Sequence, residues 1–401
     1  MVEAVSRPTW AEIDLDALAA NVRLLRDLSA PAELCAVVKA DGYGHGAVTV
    51  ARAALQAGAT WLAVALVDEG IELRRAGIGG PILVLSEPPV DAAEAAVEHE
   101  LTPTLYSEPG LAAFERAAAA LDRPAKVHVK VDTGMHRVGL APEQVLGFVG
   151  SLERASHLTM EGFWTHLAVA DGDRPEDREF TELQLSRLGD HLRELAAQGV
   201  HPTLRHAANS AGALAYPRAR LDLVRAGIAL YGELPRPSMA GTLASASGDR
   251  TLRPVLSLKS QVVDLRRLDA GERPSYGRAR PLPAPSTVAT VPIGYADGVA
   301  RRLLDSGAEV LIGGRRRPLA GQVTMDQIVV DCGSDDDVSL GDEVVLIGRQ
   351  GDQSIDAAEW AQRLGTISYE VLTGIGPRVP RVVRTAAGPL SSRGLAAAAN
   401  P

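Results

Sequence analysis

The chain of 401 residues is long for one domain and fits one large plus one medium domain. Apolar residues make up 46% and aromatics 4%, enough for a full core but against an aromatic-rich β fold. The net charge of −9, from 41 basic and 50 acidic residues, argues against a general nucleic-acid footprint. Cys35 and Cys332 stand in no CxxC or metal-ligand spacing, so no disulfide framework is expected. The N-terminus lacks the apolar core of a signal peptide, and no apolar run is long enough to span a bilayer. A cytoplasmic protein with no membrane partner is the expectation.

Residues 9–14 alternate as a short strand, and Asp14 can cap the helix after it. Leu15, Leu18, Val22 and Leu25 fall on one face of that helix. An apolar run at 34–38 ends in Lys39, and a helix from about His45 to Gln56 closes at Gly58. Further strand-like runs lie at 61–66, 82–85, 102–105, 126–131, 158–165, 204–207 and 223–225. Helical stretches fall between them at 67–76, 91–97, 108–121, 142–152, 179–197 and 209–216. Eight strand-then-helix units predict a (β/α)8 barrel over residues 15–240. A doubly wound open sheet is the alternative, but no GxGxxG turn follows the first barrel strand.

Residues 241–249 are small and polar and read as a linker. Beyond them, short strand signals at 255–265, 287–292, 309–312, 327–330, 343–347 and 378–384 surround one helix at 356–364. The expected architecture is therefore α/β, an N-terminal (β/α)8 barrel followed by a β-rich C-terminal domain. Residues 250–387 form that domain, with 1–14 added to it, and 388–401 read as a frayed Ala/Ser-rich tail.

Chemistry in such a barrel gathers at the C-terminal ends of its strands. Lys39 ends the first strand, Asp132-Thr133-Gly134-Met135-His136-Arg137 follows the fifth, and Trp164-Thr165-His166 ends the sixth. His206-Ala207-Ala208-Asn209-Ser210 and Arg225-Ala226-Gly227-Ile228 end the last two. Any one of these reads as turn or cap chemistry; together they favour a site. A desolvated lysine at a strand end loses basicity and becomes a nucleophile or base, although Lys39 alone also reads as a surface charge. Gly227, Ile228 and the Ser210 hydroxyl could donate to an anion where barrels often hold phosphate. A lysine plus a phosphate cradle suggests pyridoxal 5'-phosphate, with Lys39 as the Schiff-base lysine. The rival is a metal; His166 and His206 have no acidic partner at ligand spacing, and none is expected.

Ala36-Val37-Val38-Lys39-Ala40-Asp41-Gly42-Tyr43-Gly44-His45-Gly46 resembles the pyridoxal-phosphate signature of the bacterial alanine racemases. The resemblance continues through 130–139, 165–168, 206–211 and 225–228. It enters the second domain at Ser275-Tyr276-Gly277, Gly294-Tyr295-Ala296-Asp297-Gly298, Met325-Asp326 and Thr366-Ile367-Ser368-Tyr369-Glu370. It thus covers nearly the whole chain, in order. It implies interconversion of L-alanine and D-alanine by two-base proton transfer at the α-carbon of a pyridoxal phosphate external aldimine, supplying D-alanine for peptidoglycan. It also implies a head-to-tail homodimer with shared active sites.

By resemblance, Lys39 serves one face of the α-carbon and Tyr276, reaching into the partner's barrel, serves the other. Without it Tyr276 reads as a surface tyrosine. His166, backed by Arg225, assists the tyrosine, and Arg225 faces the pyridine nitrogen. Tyr43, Ser210, Gly227, Ile228 and Tyr369 resemble the phosphate contacts, and Asn209 falls with the cofactor residues. Arg137 and the backbone of Met325 match groups that hold the substrate carboxylate, and Tyr295 matches one that narrows the pocket around a small side chain. Lys130 matches a lysine carbamylated in several members; the alternative is a lysine on a solvent-facing alternation of Lys126, His128 and Lys130. Gln322-Val323-Thr324 departs from the family, which commonly has Arg and then Cys or Ser before the methionine. A racemase of broader substrate range and a non-catalytic pyridoxal-phosphate carrier are the alternatives; the carriers lack the second β domain.

Overall fold

The computed structural model describes residues 7–248, 250–334, 337–385 and 388–389. Two compact units emerge: residues 19–42 with 47–252, and residues up to 18 with 43–46 and 253 onward. Strand β1 (Thr9–Asp14) opens the described chain and belongs to the second unit.

The first unit carries β2 (Glu33–Val37), β3 (Trp61–Val64), β4 (Ile82–Val84), β5 (Thr102–Leu105), β6 (Ala125–Lys130), β7 (Leu158–Trp164), β8 (Leu204–His206) and β9 (Leu223–Ala226). Every one lies on an expected run, displaced at its ends by three residues or fewer. All pair in parallel, in the order β8-β7-β6-β5-β4-β3-β2-β9. Between β8 and β9 the ladder is replaced by two backbone bonds, Asp222 N–H to the Arg205 carbonyl and Arg225 N–H to the Ala208 carbonyl, each 3.0 Å. The result is a nearly closed eight-stranded barrel. Both faces of such strands are covered, which is why β3 and β4 are apolar throughout and buried throughout.

The intervening helices follow from local signals. Ser107 caps Glu108–Ala120 by accepting the Gly110 N–H at 3.1 Å, Pro109 sits in the first turn, and Leu111, Phe114 and Ala118 share the buried face. Two sequence expectations change. The helix expected from His45 starts at Ala47, because the chain first makes a separate turn over Lys39–Gly44. Residues 241–249, expected as a linker, instead carry the helix Ala240–Ser247. Its Ala-rich composition favours helix, Leu243 and Ser247 bury one side, and Gly248 ends it at φ 63°.

The second unit is β-rich. It adds β10 (Leu256–Gln261), β11 (Asp264–Leu268), β12 (Ser286–Val291), β13 (Glu309–Ile312), β14 (Arg315–Pro318), β15 (Ile328–Asp331), β16 (Glu343–Gln350), β17 (Gln353–Ile355), β18 (Arg381–Thr385) and β19 (Gly388–Pro389). One sheet runs β14-β13-β16-β10-β1-β18-β19 with β17 on β16; a second runs β11-β12-β15. The single run expected at 255–265 is two strands. β14 was not expected, since it reads Arg-Arg-Arg-Pro; its arginines are paired, Arg316 with Glu359 at 2.8 Å and Arg317 with the Cys332 carbonyl at 2.5 Å. β19 pairs with β18 within the stretch expected to fray; the rest of that tail lies outside the described residues.

Candidate functional site

Residue 39 leaves β2 and enters a turn with φ of 52°, 52°, 60°, 53° and 80° at Ala40, Asp41, Gly42, Tyr43 and Gly44. This is a left-handed turn. Each non-glycine residue in that region costs about 1–2 kcal/mol, so surrounding contacts must hold it. Within the barrel unit, the Glu69 carboxylate accepts the Ala40 N–H at 2.6 Å, Gly42 N–H reaches the Val38 carbonyl at 2.8 Å, and Asp41 caps the Ala47 N–H at 2.8 Å. Lys39 is half-buried and forms no ion pair among the described residues. Burial, then the charge of Arg137, draws its amine below the usual lysine range; Glu69 opposes them.

The C-terminal ends of other barrel strands supply the remaining groups. Arg225 is fully desolvated on β9, with burial pulling its guanidinium down to about 10. It has no carboxylate partner among the described residues. Its terminal nitrogens meet the carbonyls of Ala207 at 2.9 Å and Thr165 at 3.1 Å, Nδ1 of His206 at 2.7 Å and Nδ1 of His166 at 3.3 Å. Its Nε takes part in none of the described bonds. The Trp164 ring lies under both Arg225 (4.4 Å to the centroid) and Lys130 (4.6 Å). Burial first, then Arg225, keeps His166 well below the usual histidine range, hence neutral. Arg137 is exposed on the loop after β6, with no partner among the described residues. Asp132 shapes that loop by accepting the N–H groups of Gly134, Met135 and His136 at 2.9, 2.9 and 3.1 Å.

The expected anion cradle is built differently from the sequence reading. The Gly227 N–H is already given to Ser210 Oγ at 2.9 Å, and the Ala229 N–H to the same oxygen at 3.3 Å. That leaves the Ser210 hydroxyl proton and the Ile228 N–H as donors. Asn209 caps Ser210–Ala215 by accepting the Gly212 N–H at 2.9 Å. The solvent-facing alternative for Lys130 is overturned: Lys126 is exposed, but His128 and Lys130 are 0% and 3% exposed. Lys126 sits at the open start of β6, whereas the rest of the strand is buried on both faces, as in a nearly closed parallel barrel. Burial and then the charges of Arg225 and Arg137 bring Lys130 down to about 8, with Asp132 opposing. A lysine without a carboxylate, a hydroxyl and an amide able to bind an anion, and an uncommitted donor at Arg225 Nε fit a pyridoxal phosphate. Among the described residues there is no cluster of His, Cys, Asp and Glu able to hold a metal.

The second unit holds Tyr43, Tyr276, Tyr295, Met325 and Tyr369. Tyr43 and Tyr369 have ring centroids 6.1 Å apart, and burial raises the Tyr43 phenol, keeping it a donor. The Arg381 guanidinium donates to the carbonyls of Gly44 (2.9 Å), Ile375 (2.6 Å), Gly376 (2.7 Å) and Val379 (2.7 Å), fixing the ends of the segments that carry both tyrosines. Tyr276 is 74% exposed on a turn with φ of 69° at Ser275, 72° at Gly277 and 46° at Arg278. Ser275 Oγ donates to the Gln322 carbonyl at 2.7 Å, and a Cβ at Gly321 would sit 2.4 Å from the Pro274 oxygen. The neighbouring strap is stitched to the Tyr295 turn: Tyr295 N–H to the Thr324 carbonyl at 2.9 Å, Ala296 N–H to that of Met325 at 3.1 Å. Met325 is exposed, and its own N–H makes none of the described bonds. Sequence reasoning did not find Glu69, Glu161, His128 or Arg381; none lies at the C-terminal end of a barrel strand, and only the folded barrel and loops reveal their partners.

Models of the N-terminal and C-terminal domains of alanine racemase match residues 13–235 and 255–383. The chain is 49% identical over 375 residues to the alanine racemase of Symbiobacterium thermophilum, covering 94% of this chain and 97% of that one. It is 42% identical over 376 residues to that of Carboxydothermus hydrogenoformans, covering 94% and 99%. Among solved structures it resembles the alanine racemase of Bacillus anthracis with bound L-Ala-P, with a TM-score of 0.89, 39% identity and coverage of 96% and 97%. That of the D-cycloserine producer Streptomyces lavendulae gives 0.86, 39%, 94% and 97%.

Proposed function

The chain belongs to the alanine racemase family and is an isomerase of that family, and we propose that it interconverts L- and D-alanine with two acid/base groups, Lys39 and Tyr276 of the partner subunit. The observation that carries this reading is Lys39, a half-buried amine with lowered basicity and no carboxylate partner among the described residues. Pyridoxal phosphate, when bound, supplies the electron-withdrawing ring that makes the α-proton of alanine removable. Lys39 would hold it covalently, with Tyr43, Tyr369, Asn209, Ser210, Gly227 and Ile228 around its phosphate.

Racemisation removes a proton from one face of the α-carbon and returns one to the other. The Lys39 amine takes or gives the proton on one side; the Tyr276 oxygen of the partner subunit does so on the other. A positioned acid or base is worth roughly 10²–10⁴-fold each. An ordinary phenol titrates at about 10, so its oxyanion needs support. Neutral His166, backed by Arg225, supplies a hydrogen bond for it. Arg137 and the Met325 N–H of the partner subunit bind the substrate carboxylate, and Tyr295 limits the side chain to a small one. Arg225 is a donor with no acceptor capacity, so it cannot accept a hydrogen bond from a protonated ring nitrogen and favours that nitrogen unprotonated. That limits how far charge spreads from the α-carbon and disfavours transamination.

Three further elements rest on the same reading. Exposed Tyr276, Tyr295 and Met325 on one strap-and-turn region suit a homodimer in which each copy completes the other's site. Lys130, with its amine at about 8, has enough neutral form near pH 7 to add to carbon dioxide and lose a proton, giving a carbamate beside Arg137. Buried Cys35 and Cys332, neither of them in a disulfide, suit a reducing cytoplasm, and the product would serve peptidoglycan synthesis.

The test is direct. Purified protein with added pyridoxal phosphate should develop the absorbance band of lysine-attached cofactor, absent in Lys39→Ala. In deuterated water both alanine enantiomers should exchange their α-proton. Absence of the band, or exchange with neither enantiomer, overturns the reading.

A further inference from the structure

Two of the histidines buried in the barrel have no part in the reaction as derived. His206 Nδ1 lies 2.7 Å from an Arg225 terminal nitrogen, and His206 Nε2 lies 2.9 Å from Nδ1 of His128. His128 Nε2 is buried without a hydrogen-bond partner, and the Glu161 carboxylate stands 3.6 Å from it. Glu161 in turn receives Lys126 Nζ at 2.6 Å near the surface. These contacts have one consistent direction. Arginine only donates, so His206 Nδ1 accepts. The His206 proton is then on Nε2 and is donated to His128. The His128 proton is therefore on its own Nε2, aimed at a carboxylate.

We propose that His128 and Glu161 are positioning residues that, through His206, fix the orientation in which Arg225 presents Nε to the cofactor's ring nitrogen. The proposal rests on the reading of Arg225 as the residue facing that nitrogen. Burial, followed by the charge of Arg225, keeps His206 neutral; burial likewise keeps His128 neutral against the pull of Glu161. Burial works against ionisation of Glu161, but His128 and Lys126 outweigh it and hold the carboxyl below its usual range. Reversing either imidazole would set N–H against N–H at 2.7 or 2.9 Å, and Arg225 would have to leave the Ala207 and Thr165 carbonyls to relieve it. Packing holds both rings in place. His128 rests over Gly162, where a Cβ would lie 2.5 Å from Nδ1, at a register shift between Val127 and His128. Trp164 stacks on His206 at 5.1 Å and 11°, and Trp61 closes on His128 at 5.3 Å.

Nitrogen NMR on protein labelled at histidine reads the tautomers without recourse to activity. In the full-length protein, with and without pyridoxal phosphate, His206 and His128 should both carry their proton on Nε2. Glu161→Leu and His128→Phe should shift the His206 resonances or the cofactor absorbance maximum and weaken cofactor affinity by about tenfold, the worth of one buried hydrogen bond to a charged group. Glu161→Gln and His128→Asn retain an acceptor at the needed position and should restore both readouts. A His206 proton on Nδ1 in the unmodified protein overturns the proposal. So does unchanged cofactor affinity in both Glu161→Leu and His128→Phe. Arg225→Lys separates the two layers: if it leaves cofactor binding and absorbance unchanged while the tautomers stand as described, the Arg225 reading fails and the histidine chain survives without that role.

Discussion

Gly162 is where one methyl group meets the floor of the site. Its missing Cβ makes room for the His128 ring, and Gly162→Ala should cost about 1–3 kcal/mol through overpacking. A lowered urea midpoint checks this; an unchanged midpoint would show that His128 moves aside freely. At this scale the sequence was most informative about residues at strand ends. Lys39, His166 and Arg225 stood out because a polar side chain at the end of a strand signal has few structural reasons to be there, and Arg137 and Ser210 because they follow such ends closely. His128 was not, because Lys126, His128 and Lys130 alternate as a solvent-facing strand would. Glu161 was hidden for a related reason: a carboxylate inside a strand reads as surface until the ring opposite it is known.

The left-handed turn at 40–44 is the element that shapes the site most and the one least visible beforehand. Three glycines in five residues announced a turn, and the helix after it was expected two residues early. Handedness depends on distant groups such as the Glu69 carboxylate and the Arg381 guanidinium, which no local pattern encodes. Ala40 holds φ 52°, so Ala40→Gly should remove about 1–2 kcal/mol of strain against about 0.4–1 of added unfolded-state entropy, a small net gain in the urea midpoint. Loss of stability would mean Ala40 is not strained. Gly44→Ala should do the reverse, since its Cβ would sit 2.5 Å from the Leu372 carbonyl oxygen, a backbone atom that cannot swing away. A drop of more than about 2 kcal/mol is expected from that clash and the positive φ together. The barrel strands were legible where they are apolar throughout, as in β3 and β4, and elsewhere from the regular alternation of strand and helix signals. β14 was not, because its arginines are neutralised by partners that no local pattern reveals, such as Glu359.

Taken whole, the molecule carries three neutral histidines, the buried His128 and His206 and the half-buried His166, all with basicity lowered by desolvation first. The unfolded chain protonates them near pH 6.5 while the folded chain does not. Their contribution to stability is therefore complete above about pH 6.5 and declines as pH falls below it, with a limiting slope of about 1.4 kcal/mol per pH unit for His166 and for His206, the two lowered furthest. Urea midpoints at about pH 7.5 and about pH 5.5 check the sign, and substitution of His206 by a neutral isostere should flatten the slope. A midpoint that rises on acidification would contradict the account.

The central claim is that one copy's Lys39 works with another copy's Tyr276, so neither is sufficient within a single chain. Mixing Lys39→Ala protein with Tyr276→Phe protein under conditions of subunit exchange tests it most directly. Each variant alone should be inactive or nearly so. Hybrid dimers would contain one intact site and one doubly altered site. Random reassortment makes half the dimers hybrid, so the mixture should recover about a quarter of the unmodified activity. No recovery, with exchange of subunits independently verified, would contradict the shared site and return Tyr276 to the surface residue its exposure alone suggests.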